Sequence, residues 1–312
     1  MGALCALTAC AVRTARLEAE RRSLRDREFV LAHDGIDRRY RVHVPPTCGA
    51  GAPCPVVIYV HGGGGNILSA YMNGMDSAAD AHGFILAVPE GTGEVKRGQL
   101  RASWNGGAWA TGACCGDTDD VGFIAKMIEK LQADFEMDAR RVYATGISNG
   151  GLMTNRLACE LSDKIAAIAT VAPAALMSAC KPGRAVPIID VHGTADPANP
   201  PDGSEPKGIF NEDSGSGFAK AYKRMTPDQV VARWREMNQC AAESVARTER
   251  GPVKCVVHNR CAQGAEVALC MIEGMGHTWP DGLQYLPASM VGPVSHDFSF
   301  THLWEFLSRH SL

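Results

Sequence analysis

The sequence predicts an α/β protein in which a mostly parallel central sheet carries helices on both faces, and three observations lead there. Six short apolar runs, Pro55 to Val60, Phe84 to Val88, Val142 to Ile147, Ile165 to Ala172, Pro187 to His192 and Glu266 to Ile272, have the continuous hydrophobicity of strands buried on both sides. Helix-like stretches lie between several of them, and strand–helix alternation imposes parallel order. Four of the runs empty into glycine-rich segments bearing a serine, a histidine or an aspartate, so the chemistry gathers at strand ends. A chain of 312 residues, 46% hydrophobic and 21% charged, is long enough to bury all of this in one large domain.

In chain order, residues 1–27 stand apart from the globular body, read as residues 28–312. Met1 to Ala9 is short and apolar, lacks the basic start of a complete signal peptide, and ends Leu7-Thr8-Ala9-Cys10, a pattern like a bacterial lipoprotein cleavage box that would put lipid on Cys10. A fortuitous cysteine behind a misassigned start is the competing reading. Residues 13–27 alternate arginine and glutamate and suit a solvated tether. Phe29 to Leu31 and Tyr40 to Val44 then alternate apolar and polar residues around His33-Asp34-Gly35, the pattern of an antiparallel hairpin at a sheet edge, closed by Pro45-Pro46. Cys48 and Cys54 bracket a Gly/Ala/Pro loop, either as a small disulfide ring or as two thiols.

Helices are expected at Asn66 to Ala81, at Thr118 to Phe135 with Asp119 and Asp120 in its first turn, at Leu152 to Leu161, at Thr226 to Asn238 with Val230, Val231 and Trp234 inward, and at Phe300 to Arg309. Pro89 to Asp117 reads as a long irregular segment whose Trp104, Trp109 and Cys114-Cys115 argue for order. Trp104 either walls a substrate pocket or packs beneath the loop. Pro197 to Tyr222, rich in Pro, Gly, Ser and acids, reads as an insertion, either a lid or a mobile surface segment, with Phe210 and Phe218 as its docking residues. Val253 to Val257 is a short strand that pairs with the last one, among Cys240, Cys255, Cys261 and Cys270. Cys159 and Cys180 pair with each other or with Cys114 or Cys115.

Composition excludes some functions. A net charge of −3 and a pI near 6.4 provide no field to hold nucleic acid or an anionic membrane. Twelve cysteines with no Cys-X-X-Cys pair fit disulfides in an oxidising compartment better than zinc. Neither a metal nor a cofactor is implied.

The candidate chemistry is nucleophilic. In Gly146-Ile147-Ser148-Asn149-Gly150, an apolar strand delivers Ser148 to a sharp turn at the head of a helix, and the flanking glycines relieve crowding where strand and helix meet. His61-Gly62-Gly63-Gly64-Gly65 follows an earlier strand and offers backbone N–H groups to a developing oxyanion, with Gly63 and Asn149 as the donors. The Lys-Ser/Thr of a phosphate-binding loop is missing. Asp196 lies beyond a strand end downstream of the serine, where an acid orients a histidine; Asp190 is its rival but sits within the strand. His277, glycine-flanked after the last strand, completes the order Ser, Asp, His as general base. His61 and His192 each precede a glycine and are read as structural.

These motifs, together with Trp104-Asn105, Cys114-Cys115-Gly116, Asp119-Asp120-Val121-Gly122-Phe123, His192-Gly193-Thr194-Ala195-Asp196 and Gly276-His277-Thr278-Trp279-Pro280, resemble the polyhydroxybutyrate depolymerase and feruloyl esterase branch of the α/β-hydrolases over residues 28–310. The resemblance implies the α/β-hydrolase fold and a serine carboxylesterase with Ser148, Asp196 and His277 as triad, Gly63 and Asn149 as oxyanion donors, and a Cys240–Cys261 bridge; Trp104 and Trp279 are read as residues of the substrate pocket. It implies a small-molecule or polymer ester substrate, a monomer, and a secreted, periplasmic or lipid-anchored location. A non-catalytic surface protein that binds polymer or glycan on the same fold is the alternative. The stretch after Asp196 is longer than the family pattern, so nothing near the substrate entrance there is carried over.

Overall fold

The computed structural model describes residues 26–49, 51–96, 99–107, 118–173, 180–208, 225–242 and 245–312. Expectations about Cys10 and the tether as far as residue 25, about Trp109, Cys114 and Cys115, and about residues 209–222 with Phe210 and Phe218 lie outside the described residues.

A ten-stranded sheet is the frame, in the order β1-β2-β4-β3-β7-β8-β9-β12-β11-β10. Its middle, β4 (Ile85–Pro89), β3 (Cys54–Val60), β7 (Met137–Ile147), β8 (Ala167–Val171), β9 (Ile188–Gly193) and β12 (Val267–Ile272), is parallel throughout. Antiparallel strands finish both edges: β1 (Asp26–His33) with β2 (Ile36–His43), and β11 (Val253–His258) with β10 (Val245–Arg250). The β1–β2 turn puts both Asp34 and Gly35 at positive φ, +50° and +73°, the two-residue geometry that Asp-Gly favours.

Each central strand is buried on both sides because helices cover both faces. Along β3, Val56, Ile58 and Val60 share a layer with Phe123 and Met127 of α3 (Asp120–Asp134), Met153 and Leu157 of α4 (Asn149–Glu160) and Trp234 of α5 (Pro227–Met237). The alternate residues Val57 and Tyr59 face Met75 and Ala79 of α2 (Met75–His82) and Phe300, Leu303 and Phe306 of α7 (Phe300–Leu307), which follows the short α6 (Ala288–Val291). Helix starts are set by side chains. Asp119 caps α3 by accepting from the Gly122 N–H, and Thr226 with Gln229 forms a capping box on α5 behind Pro227.

The structure departs from the sequence reading in five places. Asp26 and Arg27, read as the end of the tether, begin β1 and pair with His43 and Val42 of β2. The helix expected over Asn66 to Ala81 is two pieces, α1 (Ser69–Met72) and α2, because Gly74 takes a φ of +67° between them. Asp119 is the cap of α3 rather than part of its first turn. The segment after Pro89 is not irregular throughout, since β5 (Thr92–Lys96) and β6 (Gln99–Ser103) form a separate antiparallel hairpin. Strand β10 extends the sheet beyond β11, its exposed Arg247, Glu249 and Arg250 giving the charged edge that discourages further pairing.

Among the described residues, four disulfides join Cys48–Cys54, Cys159–Cys180, Cys240–Cys261 and Cys255–Cys270, in keeping with an oxidising compartment. The second resolves the choice of partner for Cys159 and Cys180. The last joins directly opposed residues of β11 and β12.

Candidate active site

The parallel strands β7, β9 and β12 present their C-terminal ends at one edge of the sheet, and Ser148, Asp196 and His277 all lie just past those ends. Ser148 has φ +57° and ψ −122°, a conformation that costs an L residue roughly 1–3 kcal/mol. It is held there from both sides, its N–H donating to Val171 O at 2.9 Å and its carbonyl accepting from Leu152 N at 2.9 Å. The glycines around it leave no room for side chains. A Cβ at Gly146 would lie 2.6 Å from both Gly150 O and Val60 O, and one at Gly150 would lie 2.2 Å from Val60 O. These obstacles are backbone atoms, so strand and helix would have to separate to admit even alanine.

The glycine loop lies directly against this elbow. The Cβ position of Gly62 is 3.3 Å from Ile147 O and 3.7 Å from Ser148 Cβ. Past it the chain turns tightly, Gly65 N donating to Gly62 O at 3.0 Å and Gly64 N to Ala102 O at 2.8 Å, with Gly63 partly exposed between. Asn149 opens α4, where the first N–H groups of a helix have no intrahelical partner and the dipole favours negative charge.

Asp196 and His277 meet. Asp196 is 3% exposed, and its Oδ2 accepts from His277 Nδ1 at 2.8 Å while Oδ1 accepts from the Ala198 and Asn199 N–H groups, both at 2.8 Å. Burial alone would raise this carboxyl, but the His277 imidazole, His192 and the Asn199 amide together hold it below the usual carboxylate range. His277 is seated on a clamp of close backbones. Its N–H donates to Val291 O at 2.6 Å, Gly276 N donates to Pro293 O at 2.8 Å, and a Cβ at Gly276 would lie 2.3 Å from Gly292 Cα.

The two histidines read as structural are tied to backbone. His61 Nδ1 donates to Gly62 O at 2.8 Å and Nε2 accepts from Gly91 N at 3.1 Å, with burial pushing the imidazole down to about 4. His192 Nε2 donates to Asn199 O at 2.8 Å and stands 3.4 Å from Asp196 Oδ2, its pKa lowered by burial against the pull of Asp196. Asp190 is placed within β9 and bonds Thr170 Oγ1 at 2.9 Å, away from the histidine.

The two tryptophans assigned to the pocket are both buried. Trp104 has no exposed surface, so it does not wall an open pocket; its Nε1–H donates to His61 O at 2.9 Å and its backbone bonds the side chain of Asn149. Trp279 is 2% exposed and packs edge-on against Tyr59, with 5.3 Å between ring centroids, in the layer under α7. Both are core residues by burial. Tyr285 carries no sequence signal and emerges only here: its hydroxyl donates to His277 O at 3.0 Å while the residue stays 40% exposed. A metal-like grouping of Asp26, His43 and Asp76 lies elsewhere, by β2. The Arg41 guanidinium bonds both of its carboxylates, which makes it an ion network tying β2 to α2.

With this geometry in view, the relatives fall into place. The sequence profile of the prolyl oligopeptidase family matches residues 72–204, a span that holds Ser148 and Asp196. A putative esterase, NocK, from Nocardia uniformis subsp. tsuyamanensis is 31% identical over 311 residues, 90% of this chain and 82% of that protein. The chain belongs to the esterases of the α/β-hydrolase superfamily. Feruloyl esterase B of Piromyces equi is 35% identical over 185 residues, 57% of this chain; the chain spans only about a third, 32%, of that longer protein. Among solved structures, an acetyl xylan esterase from Aspergillus awamori superposes with a TM-score of 0.58 at 14% identity over 90% of this chain and 99% of its own, a likeness of fold. In this esterase fold the elbow, acid and histidine loops occupy the end of the sheet where such folds place their sites.

Proposed function

We propose that the protein hydrolyses carboxylic esters through an acyl-enzyme on Ser148, with His277 as general base and Asp196 as the acid that orients it. The observation that carries this reading is the buried Asp196–His277 bond at 2.8 Å, formed between loops that leave neighbouring parallel strands on the same edge as the strained Ser148. With Nδ1 bonded to Asp196, Nε2 of His277 is assigned the serine proton in this reading. Ser148 Oγ then attacks the ester carbonyl, the carbonyl oxygen becomes an oxyanion received by the N–H groups of Gly63 and Asn149, and collapse expels the alcohol with the proton returned by His277. Water attacks the acyl-enzyme by the same route in reverse, releasing the acid.

The relatives named as feruloyl esterase and acetylxylan esterase favour feruloyl- or acetyl-type esters, with short hydroxyalkanoate esters next. A panel of methyl ferulate, p-nitrophenyl acetate and hydroxybutyrate oligomers ranks them by kcat/KM. Ser148→Ala is expected to bring p-nitrophenyl acetate turnover to background and to abolish fluorophosphonate labelling, with circular dichroism unchanged. Retained turnover in that variant removes the mechanism, and a wild-type chain that neither labels nor hydrolyses removes the enzyme. The disulfides support export, and Cys10 is the site of a lipid anchor in this reading. Mass spectrometry of the mature protein tests it, an unmodified Cys10 overturning the anchor.

A further inference from the structure

The two oxyanion donors of this reading stand on different elements, Gly63 on the loop after β3 and Asn149 at the head of α4. Such a hole is effective only when its N–H groups are fixed before charge develops, because reorganising them during the reaction would consume the stabilisation they offer. We propose that Trp104 is the positioning residue that ties these two donors to each other, an inference that rests on the assignment of Ser148, Gly63 and Asn149 above.

Three hydrogen bonds make the tie. The Trp104 indole N–H donates to His61 O at 2.9 Å, two residues before Gly63. Its backbone N–H donates to Asn149 Oδ1 at 2.8 Å, and its carbonyl accepts from Asn149 Nδ2 at 3.1 Å. The paired bonds hold the Asn149 side-chain amide from both ends and so fix the residue whose backbone N–H opens the helix. Trp104 and His61 have no exposed surface and Asn149 is 7% exposed, so water does not compete for these partners.

Both ends of the tie are themselves anchored. The indole leans on the His61 ring, with 4.9 Å between centroids, and His61 is pinned by Gly62 O and Gly91 N. Ala102, two residues before Trp104, exchanges backbone bonds with Gly64 and Gly65 at 2.8 and 2.9 Å, so the end of β6 runs along the glycine loop. Just beyond, Asn105 N donates to Asp120 Oδ2 at 2.7 Å, and Arg156 from α4 donates to Asn105 O at 2.8 Å. Asp120 is in turn paired with the buried Arg38 at 2.6 Å. A ring packed only for volume would need none of this register with the loop and the elbow.

The experiment separates positioning from packing. Trp104→Phe keeps an aromatic ring and removes the indole donor; Asn149→Ala keeps the backbone N–H and removes the side-chain lock. Steady-state kinetics on p-nitrophenyl acetate are measured beside inhibition by an alkyl boronic acid, whose tetrahedral adduct on Ser148 places an oxygen in the hole. Each variant is expected to lose about 10- to 100-fold in kcat, with KM changed by less than about threefold and boronate affinity falling in step with kcat/KM. The double variant is expected to fall short of the product of the single losses, because each breaks the same connection. An unchanged kcat in Trp104→Phe overturns the proposal, as does a loss of kcat without weaker boronate binding, which marks a packing role. Should Trp104→Phe fail to fold, Asn149→Ala is read by the same criteria. A wild-type chain that takes no fluorophosphonate at Ser148 overturns the site reading together with this one, whereas a labelled and active wild type beside an undiminished Trp104→Phe overturns this one alone.

Discussion

Asp190 and Asp196 belong to the same strand and the turn that follows it, both are sealed from solvent, and their carboxyls shift in opposite directions. Asp190 receives one side-chain hydrogen bond, from Thr170 Oγ1 on the adjacent strand, and among the described residues its Oδ2 has no partner. Burial pushes it up to about 7 against the weaker pull of Thr170 and the Val191 amide. Asp196 is equally dry but receives two backbone N–H bonds on Oδ1 and the His277 bond on Oδ2, and these outweigh burial. The difference comes from secondary structure. Within a parallel sheet the amides are committed to the ladder, so a strand carboxylate depends on whatever side chains face it. Past the strand end the amides of Ala198 and Asn199 are free to turn back on the acid.

The same substitution at the two positions is therefore expected to do unlike things. Asp196→Asn keeps the shape but presents His277 with an amide, which no longer holds the required tautomer or balances the imidazolium; kcat is expected to fall about 10⁴-fold, as measured on p-nitrophenyl acetate. A loss of less than about tenfold would mean that another acid serves the histidine. Asp190→Asn is expected to leave kcat alone and to change stability. A carboxyl whose native pKa is raised keeps its proton in the folded state between about pH 4 and pH 7 while the unfolded chain loses it. Its contribution to stability thus falls as pH rises through that window and levels off above it. The asparagine variant cannot ionise, so it is expected to exceed the parent by on the order of 2–4 kcal/mol at pH 8, with the difference shrinking toward pH 5. Urea unfolding with disulfides intact measures this, and parallel pH curves for the two proteins would show that Asp190 does not titrate there.

What the sequence made legible follows the same line between strand and loop. Runs such as Pro55 to Val60 announce themselves because burial on both faces leaves them apolar throughout, and Asp196 is separable from Asp190 simply by lying past the strand end. The hairpin of β5 and β6 escapes detection because Thr92-Gly93-Glu94-Val95-Lys96 offers no apolar alternation, and its Val95 remains exposed. Strand β10 escapes because every side chain past Val245 faces water. Trp104 and Trp279 are ambiguous in sequence for another reason. An aromatic residue beside a candidate site suggests a pocket wall, while only coordinates reveal that one indole is spent on the His61 carbonyl and the other lies under α7. Tyr285 has no motif at all, since its contact with His277 O depends on how the segment after the histidine folds back.

The smallest effect sharpens the comparison most, because it acts on Asp190 through its single side-chain partner. Thr170→Val preserves shape, removes the hydroxyl, and leaves the neighbouring acid with no side-chain donor; the Oδ1 of Asp196, held by backbone amides, has no equivalent substitution. A hydrogen bond to a neutral carboxyl contributes about 0.5–1.5 kcal/mol and one to a carboxylate about 1.5–3 kcal/mol. The penalty of the valine is therefore expected to be about 1 kcal/mol at pH 5, where Asp190 is protonated, and about 2 kcal/mol at pH 8. In an Asp190→Asn background the same substitution is expected to carry a penalty independent of pH. A valine penalty that is equal at pH 5 and pH 8 in the parent would show that the carboxyl keeps one charge state across the window, and the contrast with Asp196 would then rest on hydrogen-bond number alone.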